Sequence, residues 1–334
     1  MDRAQARTDR VVQRYQRLLS DAESPHEWSY AWRREINRGG FRAVDFLMQA
    51  VVNEGKCVGC ASCLTVCPVD VFDYIDEQPK DTREQACVQC ILCVDACPVL
   101  RPVDQDLSEF LRFRAPAKDE GYGPYAYGVY ARATDDEILA RGQDGGVVSA
   151  VLIHGLEQGT LAGAILGDVT EEDSQIGTQT LATDRKSILA CGGSRYTYSP
   201  NTIALQEAVR RNIRPLAVVG VPCQVDGVRL QQNSGINLDL PRWYRNNVSL
   251  VIGLFCSEAF THESIKKLAE IIAVEPSRIE NINIKGKVVV RLDDGEVITA
   301  SLKKYREFAR PACLYCLDYG AENADIAAGG IGLD

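Results

Sequence analysis

Two runs of cysteine restrict what this chain can fold into more than any other feature. "CVGCASCLTVCP" places Cys57, Cys60, Cys63 and Cys67 ahead of Pro68, and "CVQCILCVDACP" places Cys87, Cys90, Cys93 and Cys97 ahead of Pro98. Both read C-x2-C-x2-C-x3-C-P. Three thiolates on so tight a loop can wrap one face of an iron–sulfur cubane, while the fourth sits a turn away and points to the other cluster. The expected sets are Cys57, Cys60 and Cys63 with Cys97, and Cys87, Cys90 and Cys93 with Cys67. A structural zinc needs four ligands, not two interlocked sets of three plus one. Gly59 and Ala61 are expected to keep the first loop small enough for backbone N–H groups to approach sulfur. The stretch between the runs, "VDVFDYIDEQPKDTREQA", has the length of a short hairpin.

The spacing is that of a bacterial-type ferredoxin module with two [4Fe-4S] clusters. The chain holds 13 cysteines in 334 residues, and eight of them crowd into residues 57–97. Such crowding is no disulfide framework; it reads as metal binding in a reducing compartment. The N-terminus carries Asp2 and Asp9 and no apolar segment follows, so no secretory signal is expected. A cytoplasmic location follows, free or peripheral to a membrane complex. The longest apolar run, "SLVIGLF", is far short of the ~18 residues that span a bilayer and reads as a buried strand, so the chain is not expected to be an integral membrane protein. With a net charge of −9, the chain has no general attraction for phosphate backbones, and nucleic acid is not an expected partner.

The rest of the sequence divides around this module. Residues 1–54 read as a helical extension: Val11, Tyr15, Leu18 and Leu19 fall on one helical face, Ser24-Pro25 and Gly39-Gly40 interrupt, and Phe41, Val44, Met48 and Val51 make a second stripe. It is a cap packed on the protein or a docking arm for a partner. Residues 55–103 hold the ferredoxin-like domain, and 104–124 form a linker rich in charge, Pro and Gly. From 125 to 334, strand-like and helix-like segments alternate, which argues for an α/β domain. "INIKGKVVVRLDDGEVITASL" alternates with period two around Asp-Gly, a hairpin signal. The fold class expected is multidomain α/β (α+β).

Near the end, "RPACLYCLDYG" offers Cys313 and Cys316, only half of a four-thiolate site. Cys223, in "AVVGVPCQVDG", and Cys256, in "VIGLFCSEAF", each follow a predicted buried strand. Strand ends in an α/β sheet converge on one edge, so the four could assemble a third cluster. A lone cysteine after a strand can equally be a small core residue. Cys191 is left over, and His26, His154 and His262 show no ligand spacing.

From about Tyr127 onward the chain resembles the β subunit of coenzyme F420-reducing hydrogenase and the related F420H2 dehydrogenase input subunits. The resemblance rests on "ARATDDEILARGQDGGVVSAVL", "SRYTYSPN", "VGVPCQVDGVR", "GLFCSEAF" and "ACLYCLDYGAENADIAAGGIG". It implies a domain that binds FAD and one [4Fe-4S] cluster, the cluster cysteines falling on Cys223, Cys256, Cys313 and Cys316, for three clusters in all. It also implies a flavin site. "GQDGGVVSA" puts Gln143, Asp144, Gly145 and Gly146 at a helix start, where free N–H groups suit a phosphate; an ordinary turn and N-cap is the plain alternative. "GGSRYTYSPN" adds Gly193, Ser194, Arg195, Tyr196, Thr197, Tyr198, Ser199 and Asn201, and Asp325, Gly329 and Gly330 close the site. No G-x-G-x-x-G follows a strand, so this α/β flavin domain lacks a Rossmann fingerprint. Two positions depart from the family: Cys256 is followed by Ser257, Glu258 and Ala259 in place of its Glu-Asn, and Arg195 replaces its Lys.

The implied activity is that of a coenzyme F420-dependent oxidoreductase. A 5-deazaflavin exchanges hydride and an iron–sulfur cluster exchanges single electrons; FAD does both and so must stand between them. The substrate would be coenzyme F420, and the partner a larger redox complex of hydrogenase, heterodisulfide reductase or membrane dehydrogenase type. Two alternatives share the domain: a ferredoxin-dependent reductase of a chlorophyll-pathway tetrapyrrole, and an electron-relay subunit with no soluble substrate of its own. Agreement of "VPCQVDGVR" and "GLFC" with the deazaflavin branch favours the first reading.

Overall fold

The computed structural model describes residues 42–100, 118–119, 124–170 and 175–330. Most of the expected helical extension, His26 and most of the expected linker lie outside these residues. The described chain forms two compact units. One takes the residues up to Tyr127 together with Cys223–Val248, and the other takes Gly128–Pro222 and the residues from Ser249 on.

In the first unit, helix α1 (Ala43–Leu47) runs into a π turn over Met48–Val52. Val44, Met48 and Val51, three members of the expected stripe, are buried. Each cysteine run forms a loop and one short helical turn, α2 (Ser62–Thr65) and α3 (Leu92–Asp95). Between them β1 (Asp73–Ile75) and β2 (Gln78–Lys80) pair antiparallel. Their two-residue turn, Asp76-Glu77, has both φ positive, at 52° and 60°, the primed geometry whose twist suits a hairpin. A two-residue ladder, β3 (Lys118–Asp119) with β4 (Pro124–Tyr125), follows.

In the second unit, α4 (Asp136–Arg141) is capped by the Asp135 carboxylate, which accepts from the N–H groups of Glu137 and Ile138 at 3.0 and 3.1 Å. Helix α5 (Val147–Glu157) leads to the antiparallel pair β5 (Gly163–Val169) and β6 (Gly177–Ala182). A capping box of Asp184 and Ser187 starts α6 (Arg185–Ala190), and α7 (Ala204–Arg211) precedes β7 (Leu216–Gly220). Strand β7 is an unbroken apolar run buried along its whole length, as a strand with neighbours on both edges and covered faces must be. The chain then leaves this unit for α8 (Pro222–Gln232) and α9 (Asp239–Asn247), and returns through β8 (Val248–Leu254).

The remainder stays in the second unit. Helix α10 (Glu263–Ile272) buries Ile265, Leu268 and Ala269 at helical spacing. They pack on a meander of β9 (Ile279–Ile284), β10 (Val288–Leu292) and β11 (Val297–Ala300). Val288, Val290 and Leu292 alternate inward, the period-two pattern seen in the sequence. The expected hairpin is therefore a three-stranded sheet with a second turn at Gly286, φ 70°. Helix α11 (Leu302–Tyr305) brings Tyr305 onto Phe260, with ring centroids 4.2 Å apart. Last comes β12 (Ile326–Ala328), parallel to β8, in the five-stranded order β12-β8-β7-β5-β6. No helix among the described residues is long and apolar enough to cross a membrane.

The contact grouping cuts across one of the expected domains. The sequence places 125–334 in a single domain, whereas Cys223–Val248 groups with the ferredoxin-like loops. The cause is direct packing: the Tyr244 hydroxyl donates to the Thr65 carbonyl at 2.6 Å, and the Ser234 hydroxyl donates to the Asp95 carboxylate.

Candidate functional site

The two cysteine loops repeat one backbone conformation. Gly59 and Gln89 occupy equivalent places with φ of 70° and 54°, and Ala61 and Ile91 follow with φ of 59° and 62°. These left-handed residues curl each loop so that N–H groups turn toward sulfur. Gly59 N–H donates to Cys57 Sγ and Val71 N–H to Cys67 Sγ, each at 3.3 Å. The expectation that small side chains at 59 and 61 shape the loop needs revision, because the second loop adopts the same path with Gln89 and Ile91. The conformation is what both loops share, at a cost of about 1 kcal/mol or more for each non-glycine residue held there.

The thiols gather in crossed sets. Cys67, from the first run, lines a small pocket with Cys87, Cys90 and Cys93 from the second; Ala43 and Val44 of α1, Phe72 and Ile91 are among its apolar walls. Burial pushes the Cys93 thiol well above its usual range, and Cys90, Cys67 and Cys87 add to the shift. In the other set burial raises Cys63 likewise, followed by the influence of Cys60, Cys57, Cys97 and Cys93. Burial also raises Cys97, with Cys60 next. Among the described residues, no three His, Cys, Asp or Glu side chains converge closely enough to hold a single metal ion. A cubane spreads its thiolates around a larger body than one ion, so the donor type and the crossed grouping fit iron–sulfur clusters.

In the second unit Cys256, Cys313 and Cys316 come together. Burial pushes Cys256 up to about 12, with Cys313 and Cys316 contributing next. Cys256 follows β8, and its N–H donates to the Tyr319 carbonyl at 3.1 Å, while a tight turn joins the pair through Cys316 N–H to the Cys313 carbonyl at 3.2 Å. Three soft thiol donors so gathered suit a cluster rather than a hard cation. Cys223, the fourth expected ligand, stands in the first turn of α8 and belongs to the other unit. Glu258, at the departure from the family pattern, pairs with Arg306 at 2.7 Å.

The residues expected around a flavin fall into two groups. Gln143, Asp144, Gly193, Ser194, Tyr196 and Gly330 converge. Ser194 N–H donates to Gln143 Oε1 at 3.3 Å, and a Cβ on Gly330 would stand 2.0 Å from the Asp144 carboxylate. Gly146, with φ 65°, is the N-cap of α5 and makes no side-chain cap, so no cap occupies the first-turn N–H groups of α5. Lys285, on the β9–β10 turn, pairs with Asp144 at 3.0 Å. The Tyr196 phenol is raised by burial and, less, by the Asp144 charge, and it accepts from Ile284 N–H at 3.2 Å. Glycine backbone, uncapped amides and a lysine together fit an anionic cofactor such as FAD. Gly145 belongs to the same loop and accepts from Ala133 N–H at 2.8 Å.

The second group is held by bonds within its own unit. Arg195 turns Nη1 to the carbonyls of Gly192 and Gly193, at 2.6 and 2.8 Å, and burial lowers its pKa. The Thr197 hydroxyl donates to the Gln175 carbonyl and the Ser199 hydroxyl to the Thr178 carbonyl, both tying the loop to the β6 region. Asn201 Nδ2 donates to the Val219 carbonyl at 2.9 Å. The Tyr198 ring lies under the Arg310 guanidinium at 4.2 Å. Asp325 fixes β12 to Val251 through a 2.8 Å bond from Val251 N–H, and Gly329 abuts the Phe255 ring. His262 Nε2 lies 2.9 Å from the Tyr198 carbonyl, and His154 is exposed. Cys191 is raised to about 12 by burial, with Asp168 adding to the shift. Lys285 is the site residue the sequence reading missed.

Comparison with known proteins bears on all three regions. Residues 49–120 match the 4Fe-4S dicluster domain, 128–206 the N-terminal model of coenzyme F420 hydrogenase/dehydrogenase beta subunits, and 213–334 the C-terminal model. The chain is 36% identical over 215 residues to the coenzyme F420 hydrogenase subunit beta of Methanococcus voltae, covering 63% of this chain and 74% of that one. It is 28% identical over 302 residues to the coenzyme F420-dependent sulfite reductase of Methanocaldococcus jannaschii, 86% of this chain and 44% of that one. Among solved structures, a chain of the F420-reducing [NiFe] hydrogenase complex from Methanosarcina barkeri superposes with a TM-score of 0.60 at 35% identity, covering 64% of this chain and 74% of that one. By its two matched halves and this degree of identity, the chain belongs to the coenzyme F420 hydrogenase/dehydrogenase beta subunit family, with a 4Fe-4S dicluster domain ahead of it.

Proposed function

We propose that this protein is an iron–sulfur flavoprotein subunit that transfers hydride between coenzyme F420 and FAD and passes electrons singly through [4Fe-4S] clusters to or from a partner redox enzyme. The observation that carries the reading is the crossed thiol grouping, Cys67 with Cys87, Cys90 and Cys93 around one pocket, on a chain of the F420 family. Cys57, Cys60, Cys63 and Cys97 hold one cluster, and Cys67, Cys87, Cys90 and Cys93 the next. Cys223, Cys256, Cys313 and Cys316 hold a third. When bound, FAD supplies the exchange between two-electron and one-electron chemistry, and the clusters supply single-electron relay. The chain's own part is to bind and orient. The Gln143–Gly146 loop and Lys285 receive the anionic part of the flavin, Gly193 and Ser194 lie alongside, and Tyr196 keeps its proton through burial. The protein works within a larger redox complex, as the hydrogenase relatives do by name.

The test is to mix the anaerobic, cofactor-loaded protein with reduced coenzyme F420 and follow the visible absorbance. Flavin and cluster bands should bleach together. A protein that holds FAD but stays inert toward reduced F420 would sink the reading.

A further inference from the structure

The first thiol set is walled by a segment that comes from far along the chain. Helix α8 packs against the Cys60 loop at Gly227: a Cβ there would stand 2.0 Å from Ser62 Oγ, 3.0 Å from Ser62 Cβ and 3.7 Å from Cys60 Sγ. Glycine inside a helix is destabilising relative to alanine, and here the missing side chain is what permits the approach. Asp226, the residue before Gly227 on the same helix, is half-buried beside this contact. Beyond α8 the segment is anchored to both loops, by Ser234 on Asp95 and Tyr244 on Thr65. Ser62, Thr65 and Asp95 are each at most 1% exposed. The second thiol set takes its helical wall from α1 instead, through Ala43 and Val44.

We propose that the Cys223–Val248 segment is a fixed wall of the first cluster site, in which Gly227 seats α8 against the Cys60 loop and Asp226 places a negative charge that lowers that cluster's reduction potential. The inference rests on the two-cluster part of the function proposed above. Reduction adds negative charge to a cluster already bound by four thiolates. A dry wall and a nearby carboxylate both oppose that charge, more strongly where the local dielectric is low. Asp226 and Gly227 are thus positioning residues, and they make the first cluster harder to reduce than it would be without them.

The experiment is a redox titration of the full-length, cluster-loaded protein followed by electron paramagnetic resonance, with Asp226→Asn, Asp226→Glu and Gly227→Ala beside the wild type. Cys67→Ser, which removes a ligand of the second cluster only, assigns the signals. Asp226→Asn should move the first cluster's midpoint upward and leave the second unmoved, and Asp226→Glu should restore it. Gly227→Ala should shift the same midpoint upward by admitting water; if that variant does not fold, the two Asp226 variants, which leave the packing at Gly227 intact, decide alone. Two clusters present with neither midpoint moved by Asp226→Asn would overturn the inference and leave the two-cluster reading standing. A wild type whose two runs hold fewer than about eight irons would refute both.

Discussion

Replacing Cys67 by serine separates crossed ligation from the alternative in which each run fills its own cluster. Cys67 lies in the first run, yet it lines the pocket of Cys87, Cys90 and Cys93. Losing one of four thiolates should cost that whole cubane, about four irons of the roughly eight the two runs carry. Native alkylation followed by peptide mass spectrometry then tells which thiols were released. Cys87 and Cys90, both part-exposed, should label first. Cys93 should lag, because it is buried and its thiol stands well above the usual range, which leaves little thiolate to react. Cys57, Cys60, Cys63 and Cys97 should stay protected by their own cluster. Labelling of Cys57, Cys60 and Cys63 with protection of Cys87 and Cys90 would refute the crossed arrangement. Cys97→Ser is the mirror experiment and should expose the first set instead.

Cys313→Ser should remove about four irons of about twelve and uncouple flavin reduction from the other clusters; unchanged iron content would argue against the third site. Tyr244→Phe should destabilise the first unit by about 1–3 kcal/mol, because the buried Thr65 carbonyl loses its donor. A lowered temperature of cluster loss in anaerobic melting would report it. Gly330→Ala puts a methyl into the Asp144 carboxylate and should displace Asp144 from Lys285, weakening FAD retention; the flavin passing through a desalting column measures this. Cluster rebuilding in apo protein should be faster at pH 8.5 than at about pH 7, since Cys60 near 11 and Cys256 near 12 must lose protons to bind iron. The growth of visible absorbance with time gives the rates.

The cysteine loops were legible because their ligands are local in sequence and their spacing is set by the chemistry of a cubane. Small side chains at Gly59 and Ala61 are not what sets the loop path, since Gln89 and Ile91 stand at the equivalent places with the same left-handed φ. The meander hid its first turn because Lys-Gly-Lys is a weaker turn signal than Asp-Gly. Lys285 escaped notice for the same reason, since a cation in such a turn looks like any solvated residue. The excursion over Cys223–Val248 was not legible, because "VPCQVDGVRLQQ" after a buried strand is what an α/β domain contains anyway. Its one local hint was Gly227, a glycine inside an otherwise helical stretch, which often marks a close backbone approach. The backbone bonds of Arg195, Thr197, Ser199 and Asn201 were not legible either, because the carbonyls they reach are set by the packed loop and not by local spacing.

The excursion also governs how this protein can be taken apart. The chain passes between its two units at 127–128, at 222–223 and again at 248–249. A protease that nicks the 127–128 crossing leaves two fragments held by the packing of Cys223–Val248 on the ferredoxin-like loops, so the nicked protein should still migrate as one particle. A ferredoxin-like piece cut out at residue 127 would lack α8 and α9 and bare Ser62, Thr65 and Asp95 to water. The later segment is therefore part of what a truncated ferredoxin-like piece would need in order to keep these residues dry.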